Sequence, residues 1–179
     1  MRQWWDKIDG WRAKDCLKYS DSSANIKPQF AIERLHAHTK DRDVYFTTEV
    51  GQHQMWVAQH FGFHHPREHL TSGGLGAMGY GLPAALGAQR AAPDRLVVNV
   101  TGDGSVMMNI QELATLARYD LPVKVIVLDN QCLGMVRQWQ ELFLDRRYSE
   151  VDLSDNPDFV EVAKAFRIPS FAVARTADI

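Results

Sequence analysis

Two short apolar segments that each end in a polar turn place the strongest constraint on the fold of this chain. Residues 95–100 (RLVVNV) and 123–128 (VKVIVL) are rich in β-branched residues, as buried parallel strands usually are. A glycine-rich turn containing Asp103 follows the first segment, and Asn130 follows the second. Because parallel strands end at one edge of a sheet, we expect Asp103 and Asn130 to lie close together there.

The rest of the chain alternates between strand-like and helix-like segments, which predicts an α/β fold. We expect three layers (α/β/α) around a mostly parallel sheet. Helices are predicted at 4–12, 28–38, 52–61, 80–89, 108–118, 135–143 and 157–166, and further strands at 43–48, 70–72 and 168–173. Residues 1–27 are interpreted as a leading helix and an interdomain linker, with a polar turn at 21–25, and residues 28–179 as one domain.

Composition excludes several classes of function. A formal net charge of −2 leaves no basic surface for nucleic acid, and no apolar run approaches the roughly 20 residues of a membrane helix. The two cysteines, Cys16 and Cys132, are too far apart in sequence for a recognisable metal or disulfide motif. These features favour a cytoplasmic protein without a nucleic-acid or membrane partner.

The polar turns favour a bound cation and phosphate. A carboxylate at Asp103 and an amide oxygen at Asn130 are ligands that suit Mg²⁺, which takes about six oxygen ligands and often shares them with a phosphate. The backbones of Gly102 and Gly104 would let a phosphate approach the following helix, with the amide and hydroxyl of Ser105 beside it. The alternative is structural, with Asp103 capping a helix and Asn130 shaping a turn.

Four segments together resemble one enzyme family. They are residues 48–56 (TEVGQHQMW), 71–81 (TSGGLGAMGYG), 134–140 (GMVRQWQ), and the Gly-Asp-Gly turn with its distant Asp-Asn. The pattern resembles the thiamin diphosphate (ThDP) signature in the large subunits of acetohydroxyacid synthases (acetolactate synthases), from about Trp4 to the end. The resemblance implies the C-terminal, pyrophosphate-binding domain of the ThDP fold, as a fragment of a longer polypeptide that lacks the last helix and strand.

The resemblance also implies roles for individual residues. Asp103, Asn130 and the backbone carbonyl of Cys132 would hold Mg²⁺. Met78 would wedge beneath the bent cofactor, and Trp139 would face the substrate, although both residue types also serve as core filling. The residues expected to bind ThDP are Val50, Gly51, Gln52, His53, Gly76, Met78, Gly102, Gly104, Ser105, Met108 and Met135.

The implied parent enzyme decarboxylates pyruvate and joins the hydroxyethyl unit to pyruvate or 2-ketobutyrate, in branched-chain amino acid biosynthesis. No catalytic residue is expected in this chain, because the activating glutamate would come from another domain, and the isolated chain should be inactive. FAD would bind a domain absent here. Expected partners are the rest of the large subunit, a second large subunit in a homodimer or tetramer, and optionally a small regulatory subunit. Two alternatives stay open: a domain of another ThDP-dependent 2-ketoacid enzyme (an oxidase, decarboxylase or glyoxylate carboligase), or a non-catalytic interaction module.

Overall fold

The computed structural model describes residues 1–20 and 25–179, which form four strands and eight α-helices. The strands are β1 (Val44–Thr48), β2 (His69–Thr71), β3 (Leu96–Gly102) and β4 (Lys124–Leu128). The helices are α1 (Arg2–Arg12), α2 (Pro28–Thr39), α3 (Gln52–His60), α4 (Gly81–Ala91), α5 (Asp103–Val106), α6 (Glu112–Arg118), α7 (Gly134–Phe143) and α8 (Phe159–Ala165). Short 3₁₀ turns span Met107–Asn109 and Thr176–Asp178. Most of the predicted turn at 21–25 lies outside the described residues.

The strands form one parallel sheet in the order β2-β1-β3-β4. Thr47 pairs with Asn99, and Gly102 pairs with Leu128, so the strands end at a common edge. Short βα and αβ connections allow this arrangement because each helix returns the chain to the start of the next strand. The predicted parallel α/β sheet is confirmed.

Helices cover both faces of the sheet, and alternate residues of the strands supply the two cores. On one face, Phe46 and Val98 pack against the α2 and α3 residues Ile32 and Val57. On the other face, Val97 packs with residues of α4 and α6, among them Leu86 and Leu116. The three-layer prediction is therefore confirmed for residues 28–143.

Three predicted elements differ from the structure. Residues 168–173 form no strand, because the segment makes no ladder hydrogen bonds with another strand of the described chain. Phe171 in this segment is 84% exposed. The predicted helix 108–118 is divided into a 3₁₀ turn and α6, and the Asn109 side chain donates to the Gly79 carbonyl at 2.9 Å near the break. The last helix begins at Phe159 with Asp158 as its N-cap, so Pro157 lies before the helix and not at its first position.

The leading helix α1 is confirmed, but none of its residues is buried. Trp4 and Trp11 pack edge to face and both remain exposed. In the described part of the chain, no helix combines the length and apolarity that a bilayer crossing requires. The boundary between linker and domain near residue 27 stays a prediction.

Candidate functional site

The turns that follow β1, β3 and β4 converge on an open cleft at the common edge of the sheet. This position follows from the topology, because the loops at the carboxyl ends of parallel strands form the natural crevice of such a sheet. Twelve residues predicted from the sequence line it: Val50, Gly51, Gln52, His53, Met78, Gly102, Asp103, Gly104, Ser105, Asn130, Cys132 and Met135. Residues distant in sequence are thus brought to one place.

Asp103 presents a buried carboxylate oxygen that forms no hydrogen bond with the described residues. Its Oδ1 accepts a hydrogen bond from the Gly104 backbone N–H at 2.8 Å, whereas Oδ2 is buried and unpaired. Burial raises the pKa of Asp103, and the nearby charge of Asp129 raises it further. A cation beside Oδ2 would offset both effects, so the chemistry of this carboxylate fits a positively charged ligand.

Asn130 lies across the cleft in the turn after β4. Its Oδ1 accepts a weak hydrogen bond from the Cys132 backbone N–H at 3.3 Å. Among the residues described here, no cluster of three or more His, Cys, Asp or Glu side chains could hold a metal. A cation at this site would therefore need the mixed carboxylate, amide and carbonyl oxygens that suit Mg²⁺. The oxygen atoms of Asp103, Asn130 and Cys132 fit Mg²⁺.

His53 is held in a narrow space between two glycines. A Cβ atom built on Gly51 would lie 2.8 Å from His53 Nδ1, and one built on Gly102 would lie 2.9 Å from it. Only glycine therefore fits at both positions without displacing the imidazole. His53 is 4% exposed, and burial lowers its pKa to about 4. A neutral imidazole carries one N–H donor, and His53 Nε2 has no protein partner.

Ser105 joins two of the turns. Its hydroxyl donates to the Val50 carbonyl at 2.9 Å, which ties the start of α5 to the turn after β1. The hydroxyl predicted to face a phosphate is thus engaged within the protein, and the backbone N–H remains the group that Ser105 offers to a ligand. This contact keeps the two glycine turns at a set separation.

Met78 reaches the cleft, but Gly76 and Met108 do not line it. The Met78 methyl group lies 3.8 Å from a Cβ built on Gly104, which places it against the turn after β3. Gly76 adopts a left-handed backbone (φ 69°) in the preceding loop, close to the Val50 side chain. Met108 is 55% exposed, and its Cβ packs against Gly79.

Helix α7 contributes to one wall of the cleft through its first turn. Met135 lines the cleft, whereas Trp139, one turn later, is 63% exposed and packs its ring against Phe143 at 5.2 Å between centroids. The two predicted residues do share a side of the helix. Trp139 lies outside the cleft that this chain forms.

Sequence reasoning missed several residues of the cleft. Apolar side chains complete its walls, together with one glycine: Trp56, Leu128, Leu133, Gly134 and Val136. Leu133, Gly134 and Val136 adjoin a predicted site residue in sequence, whereas Trp56 and Leu128 lie three and two positions from His53 and Asn130. Beneath the cleft, Glu49 was not assigned a role, yet its carboxyl is buried and accepts a short hydrogen bond from the Thr101 hydroxyl.

Known proteins are similar to this chain over most of its length. Residues 49–179 match the family described as "Thiamine pyrophosphate enzyme, C-terminal TPP binding domain". The chain is 52% identical over 166 residues to the acetolactate synthase isozyme 3 large subunit of Escherichia coli (strain K12), covering 93% of this chain and 29% of that protein. It is 57% identical over 164 residues to the isozyme 2 large subunit of the same organism, covering 92% and 30%.

Two further proteins are similar to this chain over most of its length. The acetolactate synthase catalytic subunit, mitochondrial, of Aspergillus candidus is 51% identical over 176 residues, which cover 96% of this chain and 25% of that protein. The solved structure of a Rhodococcus jostii RHA1 thiamine diphosphate-dependent 4-hydroxybenzoylformate decarboxylase superposes with a TM-score of 0.81 at 28% identity, over 90% of this chain and 30% of that chain. The chain thus spans less than a third of the length of each of these proteins.

Proposed function

We propose that the cleft of this chain holds the diphosphate of ThDP together with Mg²⁺. The premise is that the chain belongs to the family of C-terminal thiamine pyrophosphate-binding domains of thiamine pyrophosphate enzymes. The unpaired, buried Oδ2 atom of Asp103 is the observation that carries the proposal. An ionised carboxylate that is buried without a partner is costly, and a bound cation removes that cost.

The proposed Mg²⁺ ligands are Asp103, the amide oxygen of Asn130 and the backbone carbonyl of Cys132. Their support is the shared position of all three on the cleft wall and the oxygen chemistry that Mg²⁺ prefers. Phosphate oxygens and water would complete the coordination. Asp129 lies close enough to raise the pKa of Asp103 and would add to the negative potential that attracts the cation.

The diphosphate is proposed to lie between the turns after β1 and β3. His53 would donate from its neutral ring and Ser105 from its backbone N–H at the start of α5, while the Gly104 N–H, which donates to Asp103 Oδ1, would hold that carboxylate beside the phosphate. Val50, Gly51, Gln52 and Gly102 would form the remaining walls, since all four line the cleft.

The thiazolium end of the cofactor is proposed to contact methionines. Met78 would support the bend of the cofactor from the loop before α4, with the Gly76 carbonyl accepting from its aminopyrimidine. Met135 would flank it from α7. Met108 stays a proposed contact of lower rank, because its side chain is exposed and does not line the cleft.

The parent activity that we propose is acetolactate synthesis. Bound ThDP supplies the carbon nucleophile that attacks a 2-ketoacid carbonyl. The residues of this chain would bind and orient that cofactor, and the activating glutamate would come from another domain. The identity of 52–57% to acetolactate synthase large subunits, against 28% to the decarboxylase, favours this activity over another ThDP-dependent reaction.

Several parts of the proposal concern what surrounds the chain. Substrate contact by Trp139, use of pyruvate and 2-ketobutyrate, and a place in branched-chain amino acid synthesis belong to the parent activity. So do an FAD-binding domain, a second large subunit, a small regulatory subunit and a cytoplasmic location. The exposed apolar side of α7, which includes Trp139 and Phe143, agrees with further protein covering this side of the cleft.

A chimera tests the activity. The matching 166 residues of the Escherichia coli isozyme 3 large subunit would be replaced by the corresponding part of this chain. We expect the folded chimera to form acetolactate from pyruvate, and acetohydroxybutyrate when 2-ketobutyrate is added. A folded chimera that binds ThDP but forms neither product would contradict the proposed activity.

The metal site has its own test in the same chimera. Asp103→Asn removes the charge while preserving shape, and we expect the Mg²⁺ concentration for half-maximal ThDP binding to rise at least about tenfold, as for loss of a charged ligand. Asp94→Asn, at the opposite end of β3 and exposed, is the matched control and should leave the titration unchanged. Equal titrations for the two variants would exclude Asp103 as a ligand.

A further inference from the structure

Helix α7 carries two proposed site residues, yet it is weakly anchored. None of its ten residues is buried, and Val136, Trp139, Leu142 and Phe143 are exposed. The helix therefore lacks the apolar packing that usually sets the position and rotation of a helix on a sheet. Its polar contacts must contribute much of its orientation.

One polar contact crosses from α7 to the turn after β1. Gln52 Nε2 donates a hydrogen bond to Gln138 Oε1 at 3.0 Å, joining residues that are 86 positions apart. Gln52 is the first residue of α3 and lies between Gly51 and His53, in the turn proposed to hold the diphosphate. The same side chain also packs against the first residue of α7, because a Cβ built on Gly134 would collide with Gln52 Oε1.

Other side-chain contacts of α7 reach residues close to the helix in sequence, among them Cys132 just before it, which interacts with Arg137. Gln140 and Ser149 exchange two hydrogen bonds, of 3.0 and 3.2 Å, and the Arg137 guanidinium lies 5.1 Å from the centre of the Tyr148 ring. Within residues 1–20 and 25–179, the Gln52–Gln138 bond is the only hydrogen bond that joins a side chain of α7 to an element before β4. It is thus the direct polar link between this helix and the turn after β1.

Gln138 lies where it can set the rotation of the helix. On an α-helix, residues three and four apart are surface neighbours, so Gln138 lies beside Met135, and Met135 lies beside Trp139. Met135 lines the cleft, and Gln138 lies one helical turn after it on α7. A rotation that broke the Gln52–Gln138 bond would move Met135 and Trp139 together.

We propose that Gln138 is a positioning residue that couples the diphosphate-binding turn to the orientation of α7. Through its bond with Gln52, ordering of the turn by a bound diphosphate would also order the helix that carries Met135 and Trp139. The coupling acts in both directions, because an ordered α7 would also restrict the side chain of Gln52. The inference rests on the proposed function for its ligand, but the contact itself exists in the chain without ligand.

The first test is amide hydrogen exchange on the 179-residue chain without ligand. We expect Gln138→Leu to speed exchange about fivefold in both α7 and residues 51–54, which is the factor expected for one net hydrogen bond. Gln138→Glu keeps an acceptor oxygen for Gln52 Nε2 and should restore slow exchange. Gln140→Leu, the matched control on the same helix, should loosen residues 144–149 but leave residues 51–54 unchanged.

The second test adds ThDP and MgCl₂ at saturating concentration. In the unmodified chain we expect slower exchange in residues 51–54 and in α7, whereas in Gln138→Leu the ligand should protect only residues 51–54. Protection of residues 51–54 without any change in α7 of the unmodified chain would overturn the coupling and leave the proposed function intact. No protection anywhere in the unmodified chain would count against ThDP binding by this chain, and the ligand-free exchange would still decide whether Gln138 holds α7 to the turn.

Discussion

The carboxyl of Glu49 is buried between β3 and the start of α4, where it contacts Thr101, Asn99 and Gly81 beside the proposed cofactor turns. Glu49 is 1% exposed, and the Thr101 hydroxyl donates to it. Burial raises the pKa of Glu49 from its ordinary value of 4.5 to about 7, although hydrogen bonds from Thr101 and Asn99 and from the Gly81 backbone lower it in part. No charged side chain contributes to this shift.

The raised pKa makes stability depend on pH in a defined direction. Below pH 4.5, Glu49 is protonated in both the folded and the unfolded chain, so it costs nothing. As the pH rises from about 4.5 to about 7, ionisation of Glu49 stabilises the unfolded chain while the carboxyl stays largely protonated in the folded chain, so the folded state loses stability; above about 7 Glu49 ionises in both states and the loss levels off. The rise from 4.5 to about 7 corresponds to about 3 kcal/mol at about 1.4 kcal/mol per pKa unit.

Glu49→Gln removes the ionisation and keeps the shape of the side chain. We expect the free energy of unfolding of the variant, relative to the unmodified chain, to increase by about 2.5 kcal/mol between pH 5 and pH 8. Urea titrations followed by circular dichroism at both pH values measure this difference. Glu141→Gln, an exposed carboxylate on α7, makes the same change of charge and serves as the control. If the difference between Glu49→Gln and the unmodified chain is the same at pH 5 and pH 8, the assigned burial penalty is wrong.

Two further predictions concern backbone packing and capping, and urea titration at pH 7 measures both. Gly81→Ala should destabilise the chain by at least about 2 kcal/mol, because the added Cβ would lie 2.6 Å from Asn99 Nδ2 and against the Glu49 carboxyl. Gly87→Ala, in the same helix with open space around it, should instead stabilise by about 0.5–1 kcal/mol, and equal effects at the two glycines would refute the packing argument. Asp158→Ala should cost about 1 kcal/mol, since Asp158 Oδ1 accepts from the Val160 and Glu161 backbone N–H groups at 2.8 and 3.1 Å, and an unchanged midpoint would show that this cap contributes nothing.

Local patterns were sufficient where neighbouring residues decide the structure. The helix α2 starts at Pro28 as predicted, because proline suits the first helical turn. The β-branched segments form β3 and β4, and their parallel pairing brings the turns at Asp103 and Asn130 to one edge. These outcomes follow from the periodicity of apolar residues and from the order of the strands and helices, and both can be derived from the sequence.

Local patterns failed where a partner decides the structure. Residues 168–173 have strand-like composition but form no strand, because β structure needs hydrogen bonds from a neighbouring strand and not propensity alone. The predicted aromatic helix α1 forms, yet nothing in the described chain covers its tryptophans. The roles proposed for Gly76, Met108 and Trp139 also depend on groups beyond the cleft wall, and they stay predictions.

The sequence alone determined the order of strands and helices up to residue 166, the glycine turns and the types of oxygen donors that could meet a cation, because spacing and residue chemistry are local properties. Only the tertiary structure decided which polar groups are buried. Among them are Asp103 Oδ2, which forms no hydrogen bond with the described residues, the neutral His53 between two glycines, and the Glu49 carboxyl with its raised pKa. The tertiary structure also decided that Gln52 meets Gln138. Desolvation and contacts between distant residues arise only when the chain is folded, so local sequence patterns cannot predict them.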